Sequence, residues 1–137
     1  MKFYIDTCIW RDYFENRSDN FRPFGEWALE LIRLIILKND MILYSKVVIR
    51  ELSEEYSHEE IENILSIAMK INSLKKVEVT DHQKIEARML SKERGTAFAD
   101  ALHAVLARDN DAILVSRDRH FQDLTDIATV RKPEDLL

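Results

Sequence analysis

Three short runs along the chain, Phe3-Tyr4-Ile5, residues 41–44 (MILY) and residues 112–115 (AILV), are apolar at every position or nearly so, and each stops at a polar residue: Asp6, Ser45 and Ser116. A strand with no polar alternation has no face for water. The sheet it joins must be covered on both sides, which is the habit of parallel strands connected by helices. The segments between the runs fit that demand. Thr7 can cap a helix through Glu15, and residues 24–38 carry Trp27, Leu31, Leu34 and Ile35 on one helical stripe. Ser45 can cap a helix starting near Lys46, and residues 58–74 place Ile61, Ile64, Leu65, Ala68 and Ile71 on a further helical face. Residues 75–80 alternate like a strand with one wet face, residues 81–94 read as a helix closed by Gly95 in the left-handed region, and Thr96 can cap a helix through Asp109. A short helix near residues 119–124, a last strand at 127–130 and a terminal turn opened by Pro133 complete the order. The expectation is an α/β layer fold around a mainly parallel sheet.

Residues 1–137 are expected to form one domain, because a chain of 137 residues has the length of one and buries roughly 70% of its unfolded surface without a disulfide or structural metal. A single cysteine, Cys8, cannot form an internal bridge, and the expected compartment is a reducing cytoplasm. Asp6, Arg11 and Asp12 interrupt any secretory signal, and Glu30, Arg33, Lys38, Asn39 and Asp40 break the most apolar region, so no membrane span is expected. The 20 Lys and Arg against 25 Asp and Glu leave a formal charge of −5, which disfavours a polybasic nucleic-acid binder but leaves room for a local basic patch or a metal ion. Two glycines are too few for a long phosphate-binding loop.

The strand ends Asp6, Ser45 and Ser116, with Asp118 just beyond, fall on the edge where open α/β sheets place their sites. A sharper signal is the segment 97–107, AFADALHAVLA, whose polar residues are Asp100 and His103 alone. On a helix Asp100 shares its face with Ala97, Ala104 and Ala107, a carboxylate among small side chains that other backbone can approach. Buried carboxylates are rarely left alone; the competing reading is a salt bridge to a distant Arg or Lys. Glu51 follows the second strand at the apolar boundary of its helix, beside Val47, Val48 and Leu52. Should Asp6, Glu51, Asp100 and Asp118 meet, their charges would raise one another's pKa unless a cation neutralised them, and all-oxygen ligation suits Mg²⁺ or Mn²⁺ acting on phosphate esters. An Asp-x-Asp phosphotransferase acid, a Cys-x5-Arg loop and zinc spacing are all missing. His103 reads as a hydrogen-bonded core histidine that can support the cluster; His58, His82 and His120 read as solvated. Trp10, Tyr13, Phe14 and Trp27 exceed what one side of a small sheet obviously needs, and they suggest a homodimer interface, with core packing as the alternative.

YIDTCIW, YSKVVIREL, FADALHAVLA, LVSRDRHF and the closing VRKPEDLL together resemble a PIN-domain ribonuclease of the VapC-like toxin type, over essentially the whole chain. The resemblance implies a PIN-like three-layer α/β/α domain with a central, mainly parallel sheet, and Mg²⁺- or Mn²⁺-dependent endoribonuclease cleavage of RNA. It also implies frequent homodimers and often a small antitoxin partner. It assigns Asp6, Glu51, Asp100 and Asp118 as the metal-holding, catalytic acids, with Asp6 and Asp100 as direct ligands, Ser116 orienting the site and Thr7 as the hydroxyl after the first Asp. Arg117, Arg119, Lys46 and Arg11 are candidate phosphate contacts, with surface solvation as the alternative for each. Two other readings stay open: a PIN-like RNA- or protein-binding module without turnover, and a phosphotransfer or receiver-like α/β domain using Asp6.

Overall fold

A computed structural model describes residues 1–137. The first apolar run forms β1 (Lys2–Ile5), followed by α1 (Thr7–Glu15) and α2 (Phe24–Leu37). The second forms β2 (Met41–Tyr44), followed by α3 (Lys46–Ser53) and α4 (His58–Met69). Then come β3 (Leu74–Lys76), α5 (Asp81–Arg94), α6 (Phe98–Asp109), β4 (Ile113–Val115), a 3-10 helix over Arg119–Leu124, β5 (Val130–Arg131) and a 3-10 turn over Pro133–Leu136.

The five strands form one sheet in the order β3-β2-β1-β4-β5, with every neighbouring pair parallel. Crossovers from β1 to β2 and from β2 to β3 step one way, and right-handed connections lay α1 to α4 on one face. The return from β3 past β2 and β1 to β4 lays α5 and α6 on the other. The packing agrees, since α1 lies against α2 and α3, and α6 against α5 and β4. This is the expected three-layer α/β/α arrangement. A continuous cluster of 33 buried apolar residues fills it, and the central strand contributes Tyr4 and Ile5 without exposure.

Several local expectations shift for physical reasons. Asp6, not Thr7, caps α1: its extended backbone lets the carboxylate accept from the Thr7 amide at 2.8 Å. Thr7 then sits inside the first turn, with its hydroxyl free for another partner. Thr96 does not cap α6; Ala97 holds the cap position without a side-chain acceptor. The strand read over 75–80 ends at Lys76, because the chain leaves the sheet edge after the Val77 amide bonds the Tyr44 carbonyl and Thr80 begins a capping box with Gln83. Helix α4 stops at Met69, where Asn72 turns left-handed at φ 55°. The last strand moves from 127–130 to Val130–Arg131, since the amides of Ile127 and Ala128 bond back to the Leu124 carbonyl. Ser45 caps α3 and Gly95 takes φ +69° after α5, both as expected.

The first turn of α2 crosses the end of α1 at Gly25. A Cβ built there would meet the Asn16 Cα at 2.5 Å and the Asp12 carbonyl oxygen at 2.7 Å. Both obstacles are backbone, so neither can swing away. Gly25→Ala should therefore lose ~1 to 3 kcal/mol of stability through overpacking. Urea unfolding checks this, and an unchanged midpoint would contradict the close approach.

Candidate metal centre

The strand order reverses between β1 and β4, and this crevice at the carboxyl ends of the strands is where open parallel sheets bind ligands. The two strands pair Ile5 with Val115, so Asp6 and Ser116 emerge side by side. The Asp6 amide closes the ladder on the Val115 carbonyl at 3.0 Å. The Ser116 hydroxyl donates to Asp6 Oδ2 at 2.8 Å and accepts from the Asp118 amide at 3.0 Å, which ties the two acids together through one side chain. The Cys8 thiol also donates to Asp6 Oδ2, at 3.1 Å. Burial and the Asp6 charge push that thiol up, so it stays protonated. Asp118 caps the 3-10 helix by accepting from the His120 amide at 2.9 Å, with the His120 ring 3.0 Å from the same oxygen.

Glu51 reaches the crevice from α3. Its Oε1 accepts from His103 Nε2 at 2.5 Å and from the Thr7 hydroxyl at 3.0 Å. Burial opposes its charge, but the His103 and Thr7 hydrogen bonds, with the His103 and Arg11 charges, outweigh burial and hold the carboxyl below its ordinary value. His103 is fully buried. Desolvation opposes its protonation, yet the Glu51 hydrogen bond and the charges of Asp6, Glu51 and Asp100 hold its pKa above the usual value. The other ring nitrogen, Nδ1, lies 2.7 Å from the Tyr4 hydroxyl, which is in turn 2.7 Å from Ser45 Oγ.

Asp100 stands in the first turn of α6, half-buried, with neither a side-chain hydrogen bond nor an ion pair. Its carboxyl is pushed up to about 6, first by burial and then by the charges of Asp118 and Asp6, with Glu51 adding and His103 opposing. All four expected acids therefore share one site. Ligand atoms of Asp6, Glu51 and His103 lie within 4.8 Å of one another, and so do those of Asp100, Asp118 and His120. Histidines are the sole ion-pair partners of Asp6 and Asp118, and the salt-bridge reading of Asp100 finds no cation to support it. Both nitrogens of His103 are already engaged, so apart from the exposed His120 ring the donors are carboxylate oxygens, a predominantly oxygen set suited to a hard divalent cation.

The four candidate phosphate contacts separate into two pairs. Lys46 and Arg119 are exposed. Arg11 instead donates to the Glu51 carbonyl at 2.9 Å and lies 3.5 Å from Glu55. Arg117 makes two 2.8 Å hydrogen bonds to Glu134, approaches Asp12 at 3.7 Å and stacks over the Phe24 ring at 4.0 Å. Those two guanidinium groups hold the structure together rather than standing free for a ligand. Beside Asp118 a cleft of about 230 Å³ opens, whose lining includes Arg119, Gln122, Arg131 and Lys132. Of the aromatics that suggested an interface, Trp10 is fully buried in the core, Tyr13 and Trp27 are half-buried with Trp27 lying against Phe24, and Phe14 is exposed and packs edge-on against Tyr56.

Tyr4, Cys8 and His120 escaped the sequence reading as site neighbours. Tyr4 alone left a usable signal, because a tyrosine inside an otherwise apolar strand needs a partner for its hydroxyl.

Fold and site together define a parallel α/β domain with a candidate acidic metal site at its topological switch point. The sequence matches the PIN domain family over residues 3–127, and the chain belongs to that family, whose members are metal-dependent nucleases. Among solved structures, it is similar in fold to a chain of VapBC2 from Rickettsia felis bound to a promoter DNA fragment. The TM-score there is 0.70, with 19% identity over 96% of this chain and 98% of that one. VapBC-1 from nontypeable Haemophilus influenzae gives 0.67 with 18% identity over 98% and 99%. A toxin-antitoxin complex from Klebsiella pneumoniae gives 0.66 with 16% identity over 96% and 97%. No curated protein sequence gives a significant match.

The raised carboxyl of Asp100 sets a signed expectation. The native state holds this proton more tightly than the unfolded chain, so between the ordinary value of 3.8 and about 6 rising pH removes stability. Asp100→Asn removes that dependence. Without metal the variant should match wild type below pH 3.8 and exceed it at pH 7.5, by on the order of 1 kcal/mol once solvent screening is allowed for. With Mn²⁺ the order should reverse, because wild type gains more from the ion. Thermal melts at both pH values check this. A loss of ~3 to 5 kcal/mol in the metal-free variant would reveal an ion-pair partner instead.

Proposed function

We propose that the chain is a Mg²⁺- or Mn²⁺-dependent endoribonuclease and the toxin of a toxin–antitoxin pair. The observation that carries the nuclease reading is the gathering of Asp6, Glu51, Asp100 and Asp118 in one crevice as two adjoining groups, with no lysine or arginine ion-paired to Asp6, Asp100 or Asp118. Asp6, Asp100 and Asp118 would hold the cation, with Glu51 completing the set directly or through water. An ion bound there supplies charge neutralisation at a scissile phosphate and acidifies an attacking water.

The chain's own residues do the rest. Ser116 fixes Asp6 and positions the Asp118 backbone, while Thr7 and His103 fix one oxygen of Glu51. Arg119, with the cleft wall of Arg131 and Lys132 beside Asp118, offers phosphate contacts that offset the repulsion of a bare carboxylate cluster, and exposed Lys46 at the start of α3 is a further candidate. The receiver-like reading loses ground, because both oxygens of Asp6 accept hydrogen bonds that disfavour attack on a phosphodonor. Support for a small antitoxin partner comes from the toxin-antitoxin complexes whose chains share this fold. A homodimer is proposed on the family resemblance and on the aromatics left at the surface, exposed Phe14 with half-buried Tyr13 and Trp27, while Trp10 belongs to the core. A cytoplasmic setting is proposed on the single cysteine. No helix is long and apolar enough to cross a membrane.

Purified protein with Mn²⁺ should cleave structured RNA internally, and EDTA should stop it. Asp6→Asn should lower the rate by at least the roughly 10- to 100-fold that loss of a mere supporting contact costs a metal site. Cleavage that survives EDTA or persists in Asp6→Asn would falsify the metal-centred mechanism. Light scattering reads the oligomeric state, and a monomer at micromolar concentration would remove the homodimer.

A further inference from the structure

We propose that His103 is a positioning residue for Glu51, held in turn by Tyr4 and Ser45, and that this buried chain decides which oxygen of Glu51 is left for the cation. The inference rests on the nuclease reading of the same site and assigns roles that the four acids alone do not.

The chain runs through four elements. Ser45 ends β2 and caps α3, accepting from the Val47 amide at 3.2 Å. Its Oγ lies 2.7 Å from the hydroxyl of Tyr4 on β1, which lies 2.7 Å from Nδ1 of His103 on α6. His103 Nε2 lies 2.5 Å from Oε1 of Glu51, back on α3. Ser45, Tyr4 and His103 are each fully buried, so no water competes for these contacts. An ionised carboxylate only accepts, and Nε2 must therefore donate. In the neutral ring Nδ1 accepts from the Tyr4 hydroxyl, which can accept from Ser45; in the charged ring Nδ1 donates to Tyr4, which donates to Ser45, and in both every group finds a partner.

Two donors, His103 Nε2–H and the Thr7 hydroxyl, converge on Oε1 of Glu51, whereas Oε2 has none. A glutamate has one more rotatable bond than an aspartate, and ordering it costs rotamer entropy. Asp6 is held through both oxygens by three neighbouring donors, so it needs no further guide. Glu51 arrives on a longer arm, and the donors gathered on Oε1 leave Oε2 as its uncommitted oxygen. A purely space-filling role on α6 would be served by leucine, as at Leu102 and Leu106, without the cost of burying two ring nitrogens. Supporting hydrogen bonds of this kind orient metal ligands and typically change metal affinity or activity 10- to 100-fold when removed.

Three variants of the full chain, His103→Leu, His103→Gln and Tyr4→Phe, test this with Mn²⁺ titration calorimetry, RNA kinetics and thermal melts. His103→Leu should bind Mn²⁺ roughly 10- to 100-fold more weakly and lose a similar factor in kcat, while KM for RNA changes by less than about twofold. Raised Mn²⁺ should restore part of the rate. His103→Gln keeps an amide donor for Glu51 and should recover about tenfold of the loss, and Tyr4→Phe should fall between wild type and His103→Leu. A folded His103→Leu with wild-type Mn²⁺ affinity and kcat overturns the proposal. Should His103→Leu fail to fold, Tyr4→Phe decides, and unchanged affinity and rate there overturn it equally. Wild type that neither binds Mn²⁺ nor cleaves RNA removes the nuclease reading itself, which is a different failure from a working enzyme indifferent to His103.

Discussion

The pairing of β1 with β4 governs where every charged group of the site falls. Ile5 opposite Val115 puts Asp6 beside Ser116, and Ser116 then reaches both Asp6 and the Asp118 backbone. A slip of one residue would turn each of these side chains to the opposite face of the sheet and separate the acids. The register is seen in the ladder, with the Asp6 amide on the Val115 carbonyl, and the side chains of Tyr4, Ile5, Leu114 and Val115 that pack it are fully enclosed. The hydrophobic core thus specifies the electrostatics, although no apolar residue touches the chemistry.

Gathering four carboxylates costs free energy in the metal-free state, and the burden is unevenly shared. The inner pair, Asp6 and Glu51, receives hydrogen bonds from Thr7, Cys8, Ser116 and His103. Asp100 receives none, and its raised carboxyl registers the strain. The site is therefore rigid where the protein holds it and electrostatically unsatisfied where it opens. Rigidity at one side and unmet charge at the other is what an ion-binding crevice needs, because ligand geometry is fixed before the ion arrives.

Much of this was legible in the order of residues, for identifiable reasons. Apolar runs that end in Asp6, Ser45 and Ser116 announce buried parallel strands, and the alanine face around Asp100 announces a carboxylate near backbone. The helix caps were less legible. Both Asp6 and Thr7 can cap α1, and the choice falls to Asp6 because Thr7 is drawn to Glu51, 44 residues away. Arg117 read as a phosphate contact because it flanks Asp118, yet its partner Glu134 lies in the terminal turn and Phe24 in a distant helix. Local context cannot separate a structural arginine from a ligand-binding one when the deciding partners are remote. His103 was readable as a hydrogen-bonded core histidine, but which groups it bonds depends on α3 and β1 meeting over the end of the sheet.

The same division explains how a chain of net charge −5 can present itself to a polyanion. Arg11 and Arg117 are committed to internal partners and hold α1, α3 and the terminal turn in place. The cations left exposed, Lys46 and Arg119, stand apart from that scaffold, and Arg131 and Lys132 continue the Arg119 side along the cleft. Exposed positive charge next to the acids is therefore local to the cleft beside Asp118, while the overall charge opposes association with a polyanion elsewhere on the surface. Asp6, Glu51 and Asp118 each receive hydrogen bonds, so Asp100 is the one acid of the four whose charge the protein leaves unmet.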